Sequence, residues 1–285
     1  MTPPSTPSGV LVTVVTGWDD DVRTAAFDRL AARLAGEGAV RTVTGPTVAP
    51  LLDLTAREPG ARFGAVETTD PLASAAALCD AGPTASWTRL DAIVLVIDAS
   101  RAAVRLLTGG PFAPDRRAAE WLAAADAVVP CGTEQLTATA ADHVHQALRR
   151  RAPRAALVAP HRLAPGLGGF DLATVDARVR RATVERATAP DGRATTRIRV
   201  RGRFDQACAV EWLDLVANGS AGVVWRLEAV IPLHPGGALH AQAVGGHLEC
   251  EIAPHRSWDD ARVVMAGRDL DRTCLTRSLS GARVD

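Results

Sequence analysis

Apolar and polar positions follow two grammars along this chain. Between residues 10 and 165, short continuous apolar runs alternate with longer stretches of helical spacing; from residue 193 onward the pattern changes, opening on TTRIRVRG, where polar and apolar residues alternate as in a half-buried strand. The first run, LVTVVTG, reads as a strand ending at Gly17. A helix is predicted over residues 19–34, with Phe27, Leu30 and Leu34 on one face and Gly36 and Gly38 closing it. Further strands are predicted at 40–43, 63–68, 91–98, 127–129 and 155–159, with helices over 48–56, from Pro71 through Leu78, over 114–125 and over 135–151. The run DAIVLVID at 91–98 is apolar without interruption and bounded by carboxylates, as expected of a central parallel strand buried on both faces. Strands alternating with helices predict a three-layer α/β domain, a mostly parallel sheet with helices on both faces, over residues 10–165.

The second grammar predicts a small α+β domain over 193–280. Strands are expected from TTRIRVRG, at 223–230, 238–244, 247–252 and 263–266, and helices over 205–216 and 271–279. Residues 166–192, which include part of the Gly/Pro-rich APGLGG, read as a linker, and residues 1–9 and 281–285 as tails.

The turn after the first strand carries the candidate chemistry. A strand, a glycine turn and a helix N-terminus form the usual phosphate cradle of nucleotide-binding α/β proteins, because the first helical N–H groups have no internal partner. A phosphate-wrapping loop follows G-x-x-x-x-G-K-S/T. On that spacing Gly17 and Thr24 match, the second glycine is Val22 and the lysine is Arg23. Asp19, Asp20 and Asp21 stand where phosphate oxygens would lie. Three carboxylates suit a helix start on their own account, and they oppose a triphosphate by like charge, while Val22 adds a Cβ where the backbone must come close. The reading is a P-loop-like fold with a degenerate loop; an acidic helix cap on an unrelated turn is the plainer alternative, and hard carboxylate ligation of a divalent cation a further one.

Composition narrows the function classes. Arg plus Lys and Asp plus Glu number 32 each, so no net field favours nucleic acid or an anionic membrane, and no apolar run is long enough to span a bilayer. Every basic residue is arginine and tyrosine is absent, a bias that weakens any special meaning of Arg23. Five scattered cysteines without C-x-x-C spacing predict reduced thiols and a cytoplasmic protein, and the opening MTPPSTPSG lacks the basic start of a signal peptide.

At LDAIVLVIDA and ETTDP, and again at SWDDARVVMAGRDLDRTCL, the chain resembles the CobW-type GTPases, the zinc and cobalt metallochaperones. The resemblance spans both domains and is most specific at Trp258 and at Gly267-Arg268-Asp269-Leu270-Asp271, which opens the last helix. It implies a P-loop NTPase-like domain followed by a CobW C-terminal-like domain, and it places the nucleotide site at Gly17, Arg23, Thr24 and Glu67. Four departures from the family pattern set that activity aside: the altered P-loop; Asp70 or a deletion in place of the γ-phosphate-facing glycine; Cys131-Gly132-Thr133-Glu134 in place of N-K-x-D; and no counterpart of the cysteine-rich metal motif C-x-C-C, since no cysteine precedes Cys79. The expectation is therefore a pseudo-GTPase with a vestigial site and no catalytic residue, serving metal homeostasis through a protein partner. GTP and magnesium are not expected, and zinc is the one metal left open. The alternative is an active GTP-dependent zinc metallochaperone with a non-standard loop.

Other candidates read as structural. His143 and His145, two apart on a helix, point to different faces. His234, His240, His247, Cys250 and His255 cluster in sequence, yet His247 and Glu249 fall on one strand face and Cys250 on the other, which excludes a simple local zinc site. Cys131 reads as a buried thiol, and Trp212, Trp225 and Trp258 as core of the second domain.

Overall fold

The computed structural model describes residues 10–35, 40–44, 63–80, 88–164, 193–253 and 259–284. The first unit runs β1 (Val10–Gly17), α1 (Asp20–Ala35), β2 (Val40–Thr44), β3 (Phe63–Glu67), α2 (Pro71–Asp80), β4 (Thr88–Asp98), α3 (Ala99–Leu107), α4 (Arg116–Ala124), β5 (Ala127–Cys131), α5 (Ala138–Arg151) and β6 (Ala156–Leu157). Its six strands pair in parallel in the order β2-β3-β1-β4-β5-β6. Parallel strands need both faces covered, and β4 is accordingly buried from Leu90 to Ile97. On one face Phe27 and Leu30 of α1 pack over Val15, Val94 and Val96; on the other, Leu122, Val144 and Leu148 of α4 and α5 cover Leu95 and Ile97. The predicted α/β class is the one observed.

The helix α3 has no counterpart in the sequence reading. Its apolar residues Val104 and Leu107 are 59% and 72% exposed, while Ala99, Ala102 and Ala103 form the buried face. A helix that turns alanines inward gives no apolar stripe to detect. The helix expected over 48–56, Gly36 and Gly38 that were expected to close the first helix, the linker 166–192, Trp258 and His255 lie outside the described residues.

The second unit comprises β7 (Arg193–Arg201), β8 (Arg203–Phe204), α6 (Gln206–Ala217), β9 (Val223–Pro232), β10 (Ala238–Val244), β11 (His247–Ala253), β12 (Asp260–Arg268), α7 (Arg272–Gly281) and β13 (Arg283–Val284). Five strands form an antiparallel sheet in the order β11-β10-β9-β12-β7, and α6 and α7 pack on one face through Trp212, Leu213, Leu275 and Leu279. The tail expected from residue 281 is not one: Gly281 ends α7, and Arg283 and Val284 pair with Phe204 and Arg203 of β8.

The stretch Gly267-Arg268-Asp269-Leu270-Asp271 forms the junction between β12 and α7. Asp271 caps α7 by accepting the N–H of Cys274 at 2.9 Å, and Asp269 takes φ +58°. A Cβ on Gly267 would sit 2.2 Å from the carbonyl oxygen of Val223. Gly267→Ala is therefore expected to lose about 3 kcal/mol, because backbone rather than a flexible side chain must give way; urea denaturation measures it.

Trp225 corrects one expectation. A register shift in the β9–β12 pairing at Ala266 and Gly267 leaves Trp225 without a partner, and such a bulge re-aims the side chain. Trp225 packs on Ala123 and Ala124 of α4 and on Leu72 of α2, between the two units rather than inside the second. Val244 of β10 likewise joins Ala75, Ala76 and Cys79 of α2. Small side chains on α2 and α4 let the second sheet approach closely.

Beneath those contacts lies a buried charge cluster. Asp126, immediately before β5, accepts from the N–H of Ile93 at 2.8 Å and pairs with Arg154 at 2.7 Å. From the second unit Arg226 reaches the same carboxylate at 3.4 Å, and Glu228 pairs with Arg226 at 3.1 Å and Arg154 at 3.0 Å. Burial alone would lower the pKa of Arg226, but Asp126 and Glu228 outweigh it, so the guanidinium stays charged. The chain of bonds continues through Gln242 to Glu249 and on to Arg89.

Candidate functional site

The carboxyl ends of β1, β3 and β4 bring the four predicted nucleotide-site residues together. β1 ends at Gly17 and α1 starts at Asp20, so the turn consists of Trp18 and Asp19. Of the four positions that a phosphate-wrapping loop would hold between Gly17 and residue 22, Asp20 and Asp21 are already helical. Val22 is helical too and packs against the core under α1. A Cβ on Gly17 would lie 2.8 Å from the carbonyl oxygen of Val96, which explains a glycine here by the closeness of β4. Trp18 anchors the turn on the other side, edge-on to Phe112 at 5.7 Å with Arg105 over its ring.

Glu67, at the end of β3, is nearly fully buried. Its Oε1 accepts from Arg23 Nε at 2.9 Å and from Thr24 Oγ1 at 2.7 Å. The other arm of Arg23 binds Asp20 at 2.6 Å, and Asp19 is paired with Arg101 of α3. Of the three acidic residues, two are thus held by guanidinium groups, and the first turn of α1 begins with the N–H of Arg23 donating to the carbonyl of Asp19 at 2.9 Å. Asp70, just before α2, accepts from the N–H of Ala73 at 3.3 Å and is bound by Arg117 of α4. Its own N–H donates to Thr68 Oγ1 at 3.0 Å.

The remaining positions are spread along the same edge. Asp98 caps α3 by accepting from the N–H groups of Ser100 and Arg101 at 2.8 and 3.0 Å. Cys131 ends β5 half-buried; burial pushes its thiol up, Arg29 opposes, and Glu134 and Asp98 push it further up. That keeps the sulfur a protonated thiol at neutral pH, a poor nucleophile. Glu134 itself is exposed beyond the left-handed Gly132.

Arg101 and Arg117, which close the site, were not anticipated. They lie 82 and 47 residues from their partners, in helices whose arginines look like ordinary solvent-facing charges. No group of three His, Cys, Asp or Glu side chains able to hold a metal ion occurs among the described residues. His234 is exposed before β10, His240 buried within it and His247 at the start of β11, where it does share a face with Glu249 opposite to Cys250. Among the described residues no helix is long and apolar enough to cross a membrane.

No family model matches the chain, and no curated protein is similar to it in sequence. Solved structures do share its fold. The zinc-bound YjiA GTPase from E. coli aligns with 97% of this chain and 99% of its own at a TM-score of 0.57, with 14% identity. A zinc-bound triple mutant of YjiA aligns over the same shares at 0.56 and 14%. The P-loop NTPase-like architecture with a C-terminal domain is thereby the fold of this protein.

Proposed function

We propose that this protein is a pseudo-GTPase: it keeps the two-domain fold of a CobW-like GTPase, works by binding a protein partner, and serves zinc or cobalt homeostasis. The observation that carries this reading is Glu67 held by Arg23 and Thr24 at the mouth of a two-residue turn. Phosphoryl transfer relies on backbone N–H groups and a cation that surround the phosphates, with a carboxylate and a hydroxyl positioning magnesium. Here the cation is spent on the carboxylate, the loop that would supply the N–H groups is wound into α1, and Asp19 and Asp20 occupy its place. The residues present do not fit GTP with magnesium. The link to metal homeostasis rests on the YjiA-like fold, since the described residues supply no ligand set for zinc.

One observation favours a second reading. Thr24 and Glu67, at 2.7 Å, are the pair that would share magnesium in an active GTPase, so an active GTP-dependent zinc metallochaperone would need Arg23 to swing away and the first turn of α1 to unwind. Calorimetric titration with GTP and Mg²⁺ separates the two. No heat at millimolar nucleotide is expected; binding near one per chain, with turnover abolished by Glu67→Ala, would replace the first reading by the second.

A further inference from the structure

β7 is an outer strand of the antiparallel sheet, and among the described residues β12 is its one neighbour in that sheet. The pairing runs without a register shift from Arg201–Asp260 to Arg193–Arg268. Just beyond it, and in the same register, the N–H of Gly202 donates to the carbonyl of Asp259 at 2.7 Å. Hydrogen-bonded pairs recur at every second residue of an antiparallel ladder, so Ile198 and Val200 bond to β12 as Gly202 does. Arg197, Arg199 and Arg201 then direct their N–H and C=O groups away from β12, to the open edge.

The same three residues carry the charge. Their side chains share one face, while Thr196, Ile198 and Val200 turn to the other and are buried. Arg201 is exposed, the Arg199 side chain is 63% exposed, and Arg262 of β12 stands directly opposite Arg199. Asp260, the one carboxylate in either strand, is shared by Arg262, at 3.1 Å, and Arg199. Arg197 and Arg201 have no carboxylate partner among the described residues. Four guanidinium groups against one carboxylate make this face cationic in a chain whose charges otherwise balance.

We propose that β7 is the docking edge for the protein partner, and that it takes an extended acidic segment, with Asp or Glu at every second residue, as an added antiparallel strand. Each residue opposite Arg197, Arg199 or Arg201 then exchanges both main-chain hydrogen bonds with it and sets a carboxylate on the same face as the guanidinium. Alternate residues of both strands repeat at about 6.8 Å, so the two rows of charge stay in step. Main-chain bonds hold the segment and the arginine row selects it. Charges on an edge ordinarily discourage strand addition, and these do exclude β7 of a second copy, which would set arginine against arginine; an acidic strand is what they attract. Single-stranded nucleic acid fits less well, because neither β7 nor β12 carries an aromatic side chain on which bases could stack. Such docking rests on the partner-binding role of the proposed function and is independent of the nucleotide site.

Fluorescence anisotropy of a labelled eight-residue peptide of alternating threonine and glutamate, titrated with the full chain without nucleotide, tests this. Saturable binding is expected. Affinity should fall about tenfold or more for a peptide with the same composition but its glutamates in one block, for a peptide N-methylated at the glutamates, for an octathymidylate, and for the alternating peptide with the Arg197→Ser, Arg201→Ser double variant. Both arginines lie on the outer face of an edge strand, so circular dichroism should show the variant folded. Absence of saturable binding, or a smaller loss in any of the four comparisons, overturns the proposal. Peptide binding alongside GTP binding in the calorimetric titration would replace the pseudo-GTPase reading and keep the docking edge; neither peptide nor GTP binding would do the reverse.

Discussion

Asp126→Ala is expected to lose about 4 kcal/mol of stability, measured as a shift in the urea midpoint. The carboxylate is fully buried and does three things at once: it accepts the N–H of Ile93, it neutralises Arg154, and it receives Arg226 from the second unit. Alanine leaves the Ile93 N–H without its acceptor and two buried guanidinium groups with Glu228 as their nearest shared carboxylate. An uncompensated buried charge dominates that sum, since the mutual attraction of the cluster had offset its desolvation. Arg154 does donate to the carbonyls of Ala124 and Ala125, at 2.6 and 3.2 Å, which moderates the loss without supplying a counter-charge. A loss under about 1 kcal/mol, the range of exposed pairs, would mean that water reaches the cluster.

The sequence made this cluster nearly invisible. In Val223–Pro232, Arg226 and Glu228 alternate with Leu227 and Ala229, the pattern of a half-buried strand with a solvent face. Local periodicity identifies two faces but not what covers the second one, and here another unit covers it. The same limit explains Trp225, whose direction depends on a register shift with a strand some forty residues away. The central strand at 91–98 was legible because burial on both faces writes itself as an uninterrupted apolar run, whereas α3 was missed because its buried face is alanine.

At the candidate site the sequence identified the position and the structure supplied the pairing. Gly17, Arg23 and Thr24, singled out by loop spacing, and Glu67, singled out by the family resemblance, come together because β1 and β3 are adjacent parallel strands whose carboxyl ends lie side by side. The departures from the nucleotide-binding pattern were also readable, residue by residue. The mutual engagement of those departures was not: Asp19 with Arg101 and Asp70 with Arg117 join elements that no short-range rule connects. Asp19, Asp20 and Asp70 are each held by an arginine of this chain, Arg101, Arg23 and Arg117.

Arg226→Met is the companion experiment, and its expected result differs in kind. Methionine of similar length keeps the packing, so the loss is smaller, about 3 kcal/mol, from leaving Asp126 and Glu228 to share Arg154 alone. Unlike Asp126, Arg226 holds nothing inside the parallel-sheet unit; all it does there is cross the boundary. The apolar contacts of Trp225 with α4 and of Val244 with α2 remain. The variant should therefore loosen the two units from each other while leaving the parallel-sheet unit intact and costing the second unit only the bonds of Arg226 to Glu228 and Gln242. In denaturant, tryptophan fluorescence and far-UV circular dichroism should give coincident transitions for the wild type and separated ones for Arg226→Met. Arg226→Lys should restore only part of the coupling, because a single ammonium cannot reach Asp126, Glu228 and Gln242 together as the planar fork does. Coincident transitions in the methionine variant would assign the coupling to the small-residue packing of α2 and α4 instead, with the charges contributing to each unit separately.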